Sequence, residues 1–194
     1  TPTHLSPGQI RKLGAMIQRH FDFADEAEIG VEIDPRELTY DHMAALQESG
    51  FNRCSMGVQD FNPKVQETVN RIQPEDITRE AVQWSRDLGF ISLNLDLMYG
   101  LPFQQTATFE DTIEKILRLD PDRLAVFNYA HLPNMIRHQR LIKDEWLPSA
   151  DQKLELLKMS IEKLTGAGYV YIGMDHFAKP GDELTTAMQN GTLY

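Results

Sequence analysis

Five short apolar segments along the chain each run into a polar residue at their downstream end. Stretches with the i, i+3, i+4 apolar spacing of amphipathic helices separate these segments. The segments are Ala27–Glu32, Asn52–Gln59, Ile91–Asp96, Arg123–Asn128 and Tyr169–Asp175. Their ends lie roughly 30 to 45 residues apart, and a strand–helix crossover takes about 30 residues. The pattern therefore predicts an α/β fold built from repeated parallel strand–helix units.

The polar residues that end these five segments are candidates for a shared site. In parallel βα folds the carboxyl ends of the strands meet at one edge, and ligands bind there. The residues concerned are Glu32, Gln59, Asp96, Asn128 and Asp175. We therefore expect an enzyme's binding face at this edge.

Capping residues indicate where the helices begin. Ser6, Thr39 and Ser149 each precede an apolar face with helical spacing, and serine and threonine are favoured at the N-cap. Residues 128–148 follow no such rhythm and form a polar, partly basic connection. A connection of this length between regular units usually has a function.

Composition limits the possible functions without identifying one. Of the 194 residues, 41% are hydrophobic and 25% charged, which is ordinary for a single globular domain spanning residues 1–194. The net charge of −10 disfavours a nucleic-acid or anionic-membrane partner. No apolar run reaches the roughly 20 residues of a membrane-spanning helix. The one cysteine, Cys54, excludes an internal disulfide and favours the reducing cytoplasm.

Five strands do not close an eight-stranded barrel, which typically needs about 200 to 250 residues or more. The alternatives are an open sheet and a piece of a larger barrel. The chain opens on Thr1-Pro2-Thr3 directly before a predicted helix. This start favours the second alternative and predicts further chain upstream of Thr1.

Two carboxylates near the end of the first predicted strand could act together. Glu32 and Asp34 lie two residues apart, so they face the same side of a strand, as a catalytic pair would. Asp34 could instead cap a turn before Pro35. Glu32 lies among apolar residues, and an unpaired buried carboxylate costs several kcal/mol. We therefore interpret Glu32 as a ligand contact.

The other strand ends leave the chemistry open. Asp96 is flanked by apolar residues and is interpreted like Glu32, whereas Gln59 and Asp60 suit either ligand contact or hydrogen bonding within a loop. The six histidines show no metal-ligand spacing. A metal-dependent barrel aldolase or hydrolase that uses Asp96, Asp175 and His176 remains an alternative.

Longer strings in the chain carry a family resemblance. They are GVEIDPR (30–36), GFNRCSMGVQDF (50–61), NLDLMYGLP (94–102), FNYAHLP (127–133) and IGMDHFA (172–178). Together they resemble the oxygen-independent coproporphyrinogen III oxidases, which are radical S-adenosylmethionine (SAM) enzymes of haem biosynthesis. The resemblance covers essentially all 194 residues. A related family of haem chaperones shares the first two strings and is a second alternative, but the last two strings favour the oxidases.

The resemblance implies a fold, a reaction and cofactors. The fold is a partial parallel βα barrel of the radical SAM type, without its first strands and without a helical C-terminal domain beyond Tyr194. The reaction is oxidative decarboxylation of two propionates of coproporphyrinogen III to vinyl groups, giving protoporphyrinogen IX, by a SAM-derived radical. The cofactors are two SAM molecules and a 4Fe–4S cluster whose cysteine ligands lie outside this chain. The partners are the substrate and an electron donor protein, the complete protein is expected to be a monomer, and this segment alone should be inactive.

The resemblance also assigns SAM-binding residues. Glu32 contacts the first SAM. The second SAM is contacted by Thr1, Gln59, Arg71, Asp96 and the backbone at Ala130. These residue types suit the ligand, because carboxylates accept hydrogen bonds from ribose hydroxyls or the amino group and arginine pairs bidentately with a carboxylate.

The densest basic stretch is 137–143, inside the long connection. A substrate with four propionates needs a local cationic feature in an acidic chain. We therefore hypothesise that Arg137 and Arg140 pair with propionates. The alternative is a solvated basic segment, because charged side chains usually face water.

Overall fold

Four parallel strands form the centre of the fold and follow one another in chain order. The computed structural model, which describes residues 2–193, places each of them next to its predecessor in sequence. The strands are β1 (Gly30–Ile33), β2 (Arg53–Gln59), β3 (Ser92–Tyr99) and β4 (Arg123–Asn128). The predicted parallel α/β architecture is thus confirmed, and the sheet is open rather than closed.

Within residues 2–193, seven α-helices accompany the strands. They are α1 (Pro7–His20), α2 (Tyr40–Glu48), α3 (Pro63–Thr68), α4 (Glu75–Asp87), α5 (Thr106–Leu119), α6 (Ala150–Gly166) and α7 (Glu183–Gln189). The predicted caps are confirmed, since the side chains of Ser6, Thr39 and Ser149 accept hydrogen bonds from the first turns of α1, α2 and α6. The short α3 was not predicted; Asn62 caps it by accepting from two backbone N–H groups.

The two faces of the sheet differ in burial. Along β2 and β3 buried residues alternate with half-buried ones. Met56, Leu95, Leu97 and Leu124 are fully buried in the core with apolar side chains of the helices. The opposite face is polar and only half-buried, so a binding surface lies on the face that the helices leave uncovered.

The prediction of one strand over Tyr169–Asp175 is wrong, because the chain turns back within this segment. The chain forms β5 (Val170–Gly173), turns at Met174 and Asp175, and returns as β6 (His176–Ala178), which pairs antiparallel with both β5 and β4. Both turn residues have positive φ, 47° and 70°. Two-residue hairpin turns normally use Asn-Gly or Asp-Gly, so Met-Asp gave no turn signal.

The long connection after β4 contains no strand, as predicted. Two short 3₁₀ helices, Arg137–Leu141 and Asp144–Trp146, cross the carboxyl edge of the sheet. Within residues 2–193, no helix has the length and apolar character needed to cross a membrane.

Candidate functional site

A first polar layer crosses the uncovered face of the sheet. Glu32 on β1 lies beside Ser55 on β2, which lies beside Asn94 on β3, and Asn94 lies beside Arg123 on β4. These side chains line a cavity of 280 Å³. Glu32 is exposed, so the burial predicted from its apolar neighbours is wrong. The reason is that its face of β1 has no helix over it.

Arg123 of this layer and Arg53, which lies below it on β2, tie the start of α7 to the sheet. Arg123 donates to the carboxylate of Asp182 at 2.9 Å and also pairs with Glu183. Arg53 pairs with Glu183 and with Glu28. The cations of the first layer are therefore neutralised by acidic partners at the amino edge.

A second layer lies one step nearer the carboxyl edge. Asp96 is beside Gly57 and Ala125, and Ala125 is beside His176 of β6. Asp96 and Glu32 therefore occupy the same face in adjacent layers. The sequence places His176 just after the end of a predicted parallel strand. In the structure it instead follows the hairpin turn and begins the antiparallel strand β6.

Asp96 is held from below by the first layer. Its carboxylate accepts from Asn94 Nδ2 at 2.7 Å and from Ser55 Oγ at 3.3 Å. Burial raises the pKa of Asp96, while these two hydrogen bonds oppose the rise. The nearby Glu32 charge also favours the protonated form. The arrangement fixes the orientation of the carboxylate and leaves it able to accept from a ligand.

Arg71 reaches the same face from the loop after α3. Its Nη2 donates to the Gly57 carbonyl at 2.7 Å, and its Nη1 lies 3.7 Å from the Asp34 carboxylate. A Cβ at Gly57 would stand 3.2 Å from this guanidinium and 2.8 Å from Gln59 Nε2. The absence of a side chain at Gly57 thus makes room for Arg71 and Gln59. Burial lowers the pKa of Arg71.

Two buried polar atoms beside Gly57 have no partner among the described residues. They are Nε of Arg71 and Oε1 of Gln59, a donor and an acceptor. Gln59 ends β2 with a φ of 71°, an unfavourable conformation for a residue with a side chain. Unpaired buried groups and local strain of this kind concentrate at functional sites.

Gln59 and Arg71 line a cavity of 330 Å³, here called the edge cavity. Its other walls come from Thr68, Val69, Asn70, Met98, Leu101, Tyr129, His138, Leu141 and Ile142. The buried hydroxyl of Tyr129 has no hydrogen-bond partner within residues 2–193 either. Glu32 thus lines one cavity and Gln59 another, and Asp96, in the second layer, lines neither of the two.

Asp60 settles the alternatives that the sequence left open for it, because it is buried and bonded within the protein. It accepts from Thr112 Oγ1 and Gln104 Nε2, each at 2.7 Å, and from the backbone N–H of Asn62 at 2.8 Å. Gln104 Oε1 in turn accepts from the backbone N–H of Gly100. This network fixes the ends of β2 and β3, where the edge cavity begins.

Asp34 caps a turn, as one of the two alternatives predicted. Its side chain accepts from the backbone N–H of Arg36 and pairs with the Arg36 guanidinium at 2.6 Å. That hydrogen-bonded pairing lowers the pKa of Asp34 to about 2. Thr1 lies outside the described residues.

The long connection is anchored by one buried glutamine. Gln139 Nε2 donates to the carbonyl of Ala130 at 3.0 Å, and its Oε1 accepts from the Leu132 N–H at 2.5 Å. Ala130 itself is exposed at the carboxyl edge. Arg137 and Arg140 are also exposed, and Arg140 Nε donates to the Pro133 carbonyl.

No metal site is present in the part of the chain that the structure describes. No group of three His, Cys, Asp or Glu side chains lies close enough to bind an ion within residues 2–193. Cys54 is buried, hydrogen-bonds to Ser85, and burial raises the pKa of its thiol to about 11. The metal-dependent alternative that used Asp96, Asp175 and His176 therefore has no support.

Sequence reasoning missed the residues that hold the site. Ser55, Asn94, Tyr129 and Gln139 were not singled out, although each contacts or adjoins a candidate residue. The available signal was the alternation of Asn94 and Asp96 with leucines along β3, which places both on one face.

Comparison with known proteins identifies close relatives. A family model described as the radical SAM superfamily matches residues 1–116. The oxygen-independent coproporphyrinogen III oxidase of Escherichia coli K12 is 50% identical over 194 residues, which is 100% of this chain and 42% of that protein. The protein of the same name from Helicobacter pylori J99 is 48% identical over the same shares. The chain thus spans less than half the length of these relatives.

Solved structures agree with the sequence matches. The coproporphyrinogen III oxidase of E. coli, described as a radical SAM enzyme, superimposes with a TM-score of 0.96 at 50% identity, covering 98% of this chain and 44% of that one. The radical SAM methyltransferase TsrM of Kitasatospora setae, solved with cobalamin and a 4Fe–4S cluster, has a TM-score of 0.55 at 14% identity and covers 66% of this chain and 25% of its own. The second match shows the fold alone.

Proposed function

This chain belongs to the radical SAM superfamily, and we propose that it forms the ligand-binding part of an oxygen-independent coproporphyrinogen III oxidase. The reaction is oxidative decarboxylation of two propionates of coproporphyrinogen III, giving the two vinyl groups of protoporphyrinogen IX. Relatives at about 50% identity carry this name. The observation that carries the proposal is a buried donor and a buried acceptor without partners among the described residues, Arg71 Nε and Gln59 Oε1, near Asp96.

The edge of the sheet has the donors and acceptors that the methionine end of SAM requires. Arg71 offers a free N–H to a carboxylate, and Gln59 Oε1 accepts from an ammonium or hydroxyl group. Asp96 accepts from ribose hydroxyls or the amino group. We assign these three, with Thr1 and the backbone at Ala130, to a second SAM, and the exposed Glu32 to a first.

The described residues do not fit the 4Fe–4S cluster of the family. Their one cysteine is buried with a raised pKa, and cluster ligands must be thiolates. The proposal therefore leaves the cluster to ligands outside residues 2–193. SAM, when bound and reductively cleaved, supplies the oxidant that removes hydrogen from the substrate. This cleavage needs an external electron donor protein, and we place the reaction in the cytoplasm.

The residues of this chain position the ligands. Ser55 and Asn94 hold the Asp96 carboxylate in one orientation, and the absence of a side chain at Gly57 leaves room for the Arg71 guanidinium. Fixed partners of this kind reduce the entropy lost when two reactants are brought together. We infer that the edge layers serve this purpose.

The basic connection has the properties of a substrate contact. Arg137 and Arg140 are exposed next to the strongly exposed apolar side chains of Met135 and Leu141, 82% and 81% accessible. Cations and apolar groups together match a substrate that combines propionates with a hydrocarbon framework. In the complete enzyme, replacing both arginines by alanine should raise KM for the porphyrinogen and leave SAM affinity unchanged. An unchanged KM would refute the substrate contact and favour the alternative, a solvated basic segment.

The SAM assignment is tested with the full-length protein by anaerobic equilibrium dialysis of SAM. We expect Arg71→Met to lose about tenfold or more in affinity at one site only, because a charge-assisted hydrogen bond contributes about 1.5–3 kcal/mol. The matched control is Arg79→Met, which removes an arginine that is 58% exposed on α4. Two unchanged SAM sites in Arg71→Met would refute the assignment.

A further inference from the structure

Another cavity lies away from the edge cavity, against the β5–β6 hairpin. It has a volume of 700 Å³ and is here called the hairpin cavity. Its lining consists of Phe127, Ile172, Gly173, Met174, Asp175, His176, Leu184 and Leu193. Cavities of this size accommodate cofactor-sized ligands, and neither the SAM contacts nor the basic connection uses this one.

The hairpin cavity opens on the same face of the sheet as Asp96. His176 pairs with Ala125, and Ala125 pairs with Asp96, so the three residues lie side by side in one layer. Neighbouring strands are about 4.8 Å apart, which puts His176 about 10 Å from Asp96. A molecule in the cavity would therefore adjoin the proposed SAM site.

His176 presents a defined hydrogen-bond acceptor to the cavity. Its Nδ1 lies 2.6 Å from the carbonyl oxygen of Met174. A carbonyl only accepts, so Nδ1 carries the hydrogen, and Nε2 of the neutral ring is left as an acceptor. Nε2 makes no hydrogen bond to any residue in the 2–193 range. The imidazole ring packs edge-to-face with the Phe127 ring, with 5.8 Å between the ring centroids.

The remaining walls favour an uncharged, aromatic ligand group over a carboxylate. Phe127, Ile172 and Leu184 supply apolar surface, and the carboxylate in the lining, that of Asp175, is negative. The neighbouring cation Arg123 is already paired with acidic residues. Propionates therefore have no partner inside the cavity.

The hairpin turn itself carries an unusual residue for its position. Met174 is 90% exposed with a φ of 47°, where folding alone would favour Asn or Gly. Methionine sulfur makes favourable contacts with aromatic rings. An exposed methionine at the rim of an apolar cavity therefore suits contact with a flat, electron-rich ring.

We propose that the hairpin cavity binds the tetrapyrrole ring of the substrate, with His176 Nε2 accepting a hydrogen bond from a pyrrole N–H. This inference rests on the proposed function and adds the position of the macrocycle. Pyrroles of a porphyrinogen are N–H donors with apolar faces, which is the chemistry that these walls accept. The propionates then project out of the cavity toward the cationic connection.

The first test is anaerobic equilibrium dialysis of coproporphyrinogen III with the full-length protein. We expect Leu184→Trp, which fills the cavity, to raise Kd at least tenfold, and His176→Ala to raise it about three- to tenfold. SAM affinity should stay unchanged in both variants. The control is Leu154→Trp, at a position on α6 that is 65% exposed and outside the cavity.

The second test needs no variant and uses hydrogen exchange of the wild-type protein. Coproporphyrinogen III should slow exchange in peptides covering 171–177 and leave peptides covering 7–20 on α1 unchanged. A wild type that binds the compound without slowing exchange in 171–177, or a folded Leu184→Trp protein with wild-type Kd, would overturn the inference. A wild type that neither binds nor converts coproporphyrinogen III would instead refute the proposed function.

Discussion

The buried hydrogen-bond network around Asp60 should make the free energy of unfolding sensitive to an isosteric substitution at this edge of the sheet. Thr112 Oγ1 donates to Asp60 at 2.7 Å and accepts from the Phe61 N–H at 3.2 Å. Thr112→Val keeps the volume, so it creates no cavity, but it removes both hydrogen bonds. Thr112 is 1% exposed, and water cannot replace them.

The loss in the free energy of unfolding can be worked out from the two groups that Thr112→Val leaves without the Thr112 hydroxyl, the Asp60 carboxylate and the Phe61 N–H. Losing a hydrogen bond to a buried carboxylate costs about 1.5–3 kcal/mol, and leaving the buried Phe61 N–H unsatisfied costs about 1–3 kcal/mol more. Because partial relaxation reduces such sums, we expect a total loss of about 3 kcal/mol. For a chain of this length this corresponds to roughly 6–12 °C in Tm.

The loss of stability caused by Thr112→Val should also depend on pH. Burial raises the pKa of Asp60, and its bond from Thr112 opposes that rise. The charged carboxylate therefore needs the Thr112 hydroxyl more than the protonated one does. The destabilisation should be largest above the folded-state pKa and should shrink as acid protonates Asp60.

The assay is urea unfolding at several pH values, monitored by circular dichroism, for Thr112→Val and for Thr165→Val. Thr165 is an exposed threonine on α6 whose hydroxyl donates only to helix carbonyls, so its loss should cost less than about 0.5 kcal/mol. Equal effects of the two substitutions, or a Thr112→Val cost that does not change with pH, would refute the role assigned to the Asp60 network.

Three further outcomes are expected. Pairing with Arg36 lowers the pKa of Asp34 to about 2, so the charged carboxylate stabilises the fold above about pH 4 and this stabilisation is lost as the pH falls toward 2. In Asp34→Asn the free energy of unfolding should therefore change less with pH between 4 and 2. Tyr169→Phe should cost about 1–2 kcal/mol in urea unfolding, because it leaves the buried Pro121 carbonyl without its 2.6 Å donor, and a neutral result would contradict this. The purified 194-residue chain should contain no stoichiometric iron by metal analysis, since its single thiol, Cys54, is buried.

The four parallel strands could be predicted from the sequence because each has a strong local signal. The strands are short apolar runs, and Ser6, Thr39 and Ser149 cap the helices that precede or follow them. The hairpin after β5 had no such signal, since Met174-Asp175 is not a turn sequence. Its existence depends on pairing with β4, which is a tertiary contact.

Burial of the candidate residues could not be predicted in the same way. Glu32 and Asp96 have similar apolar neighbours in sequence, yet Glu32 is exposed and Asp96 is half-buried. The difference comes from other elements: Ser55 and Asn94 donate to Asp96, while within residues 2–193 no side chain hydrogen-bonds to Glu32. Hydrophobic periodicity tells which residues share a face, but it does not tell what covers that face.

The uncovered face itself is an argument for function. Strands of a parallel sheet usually have both faces buried and read as continuous apolar runs, whereas β2 and β3 alternate apolar side chains with Ser55, Gly57, Asn94 and Asp96. Folding alone gains nothing from these polar positions, since the same strands with apolar residues would bury more surface. Asn94 and Ser55 give each oxygen of the Asp96 carboxylate one hydrogen bond, which leaves each able to accept another, and the nearby Arg71 has an Nε–H without a partner among the described residues. A sequence that departs from the folding optimum at adjoining positions on three elements is best explained by a ligand that completes the missing contacts.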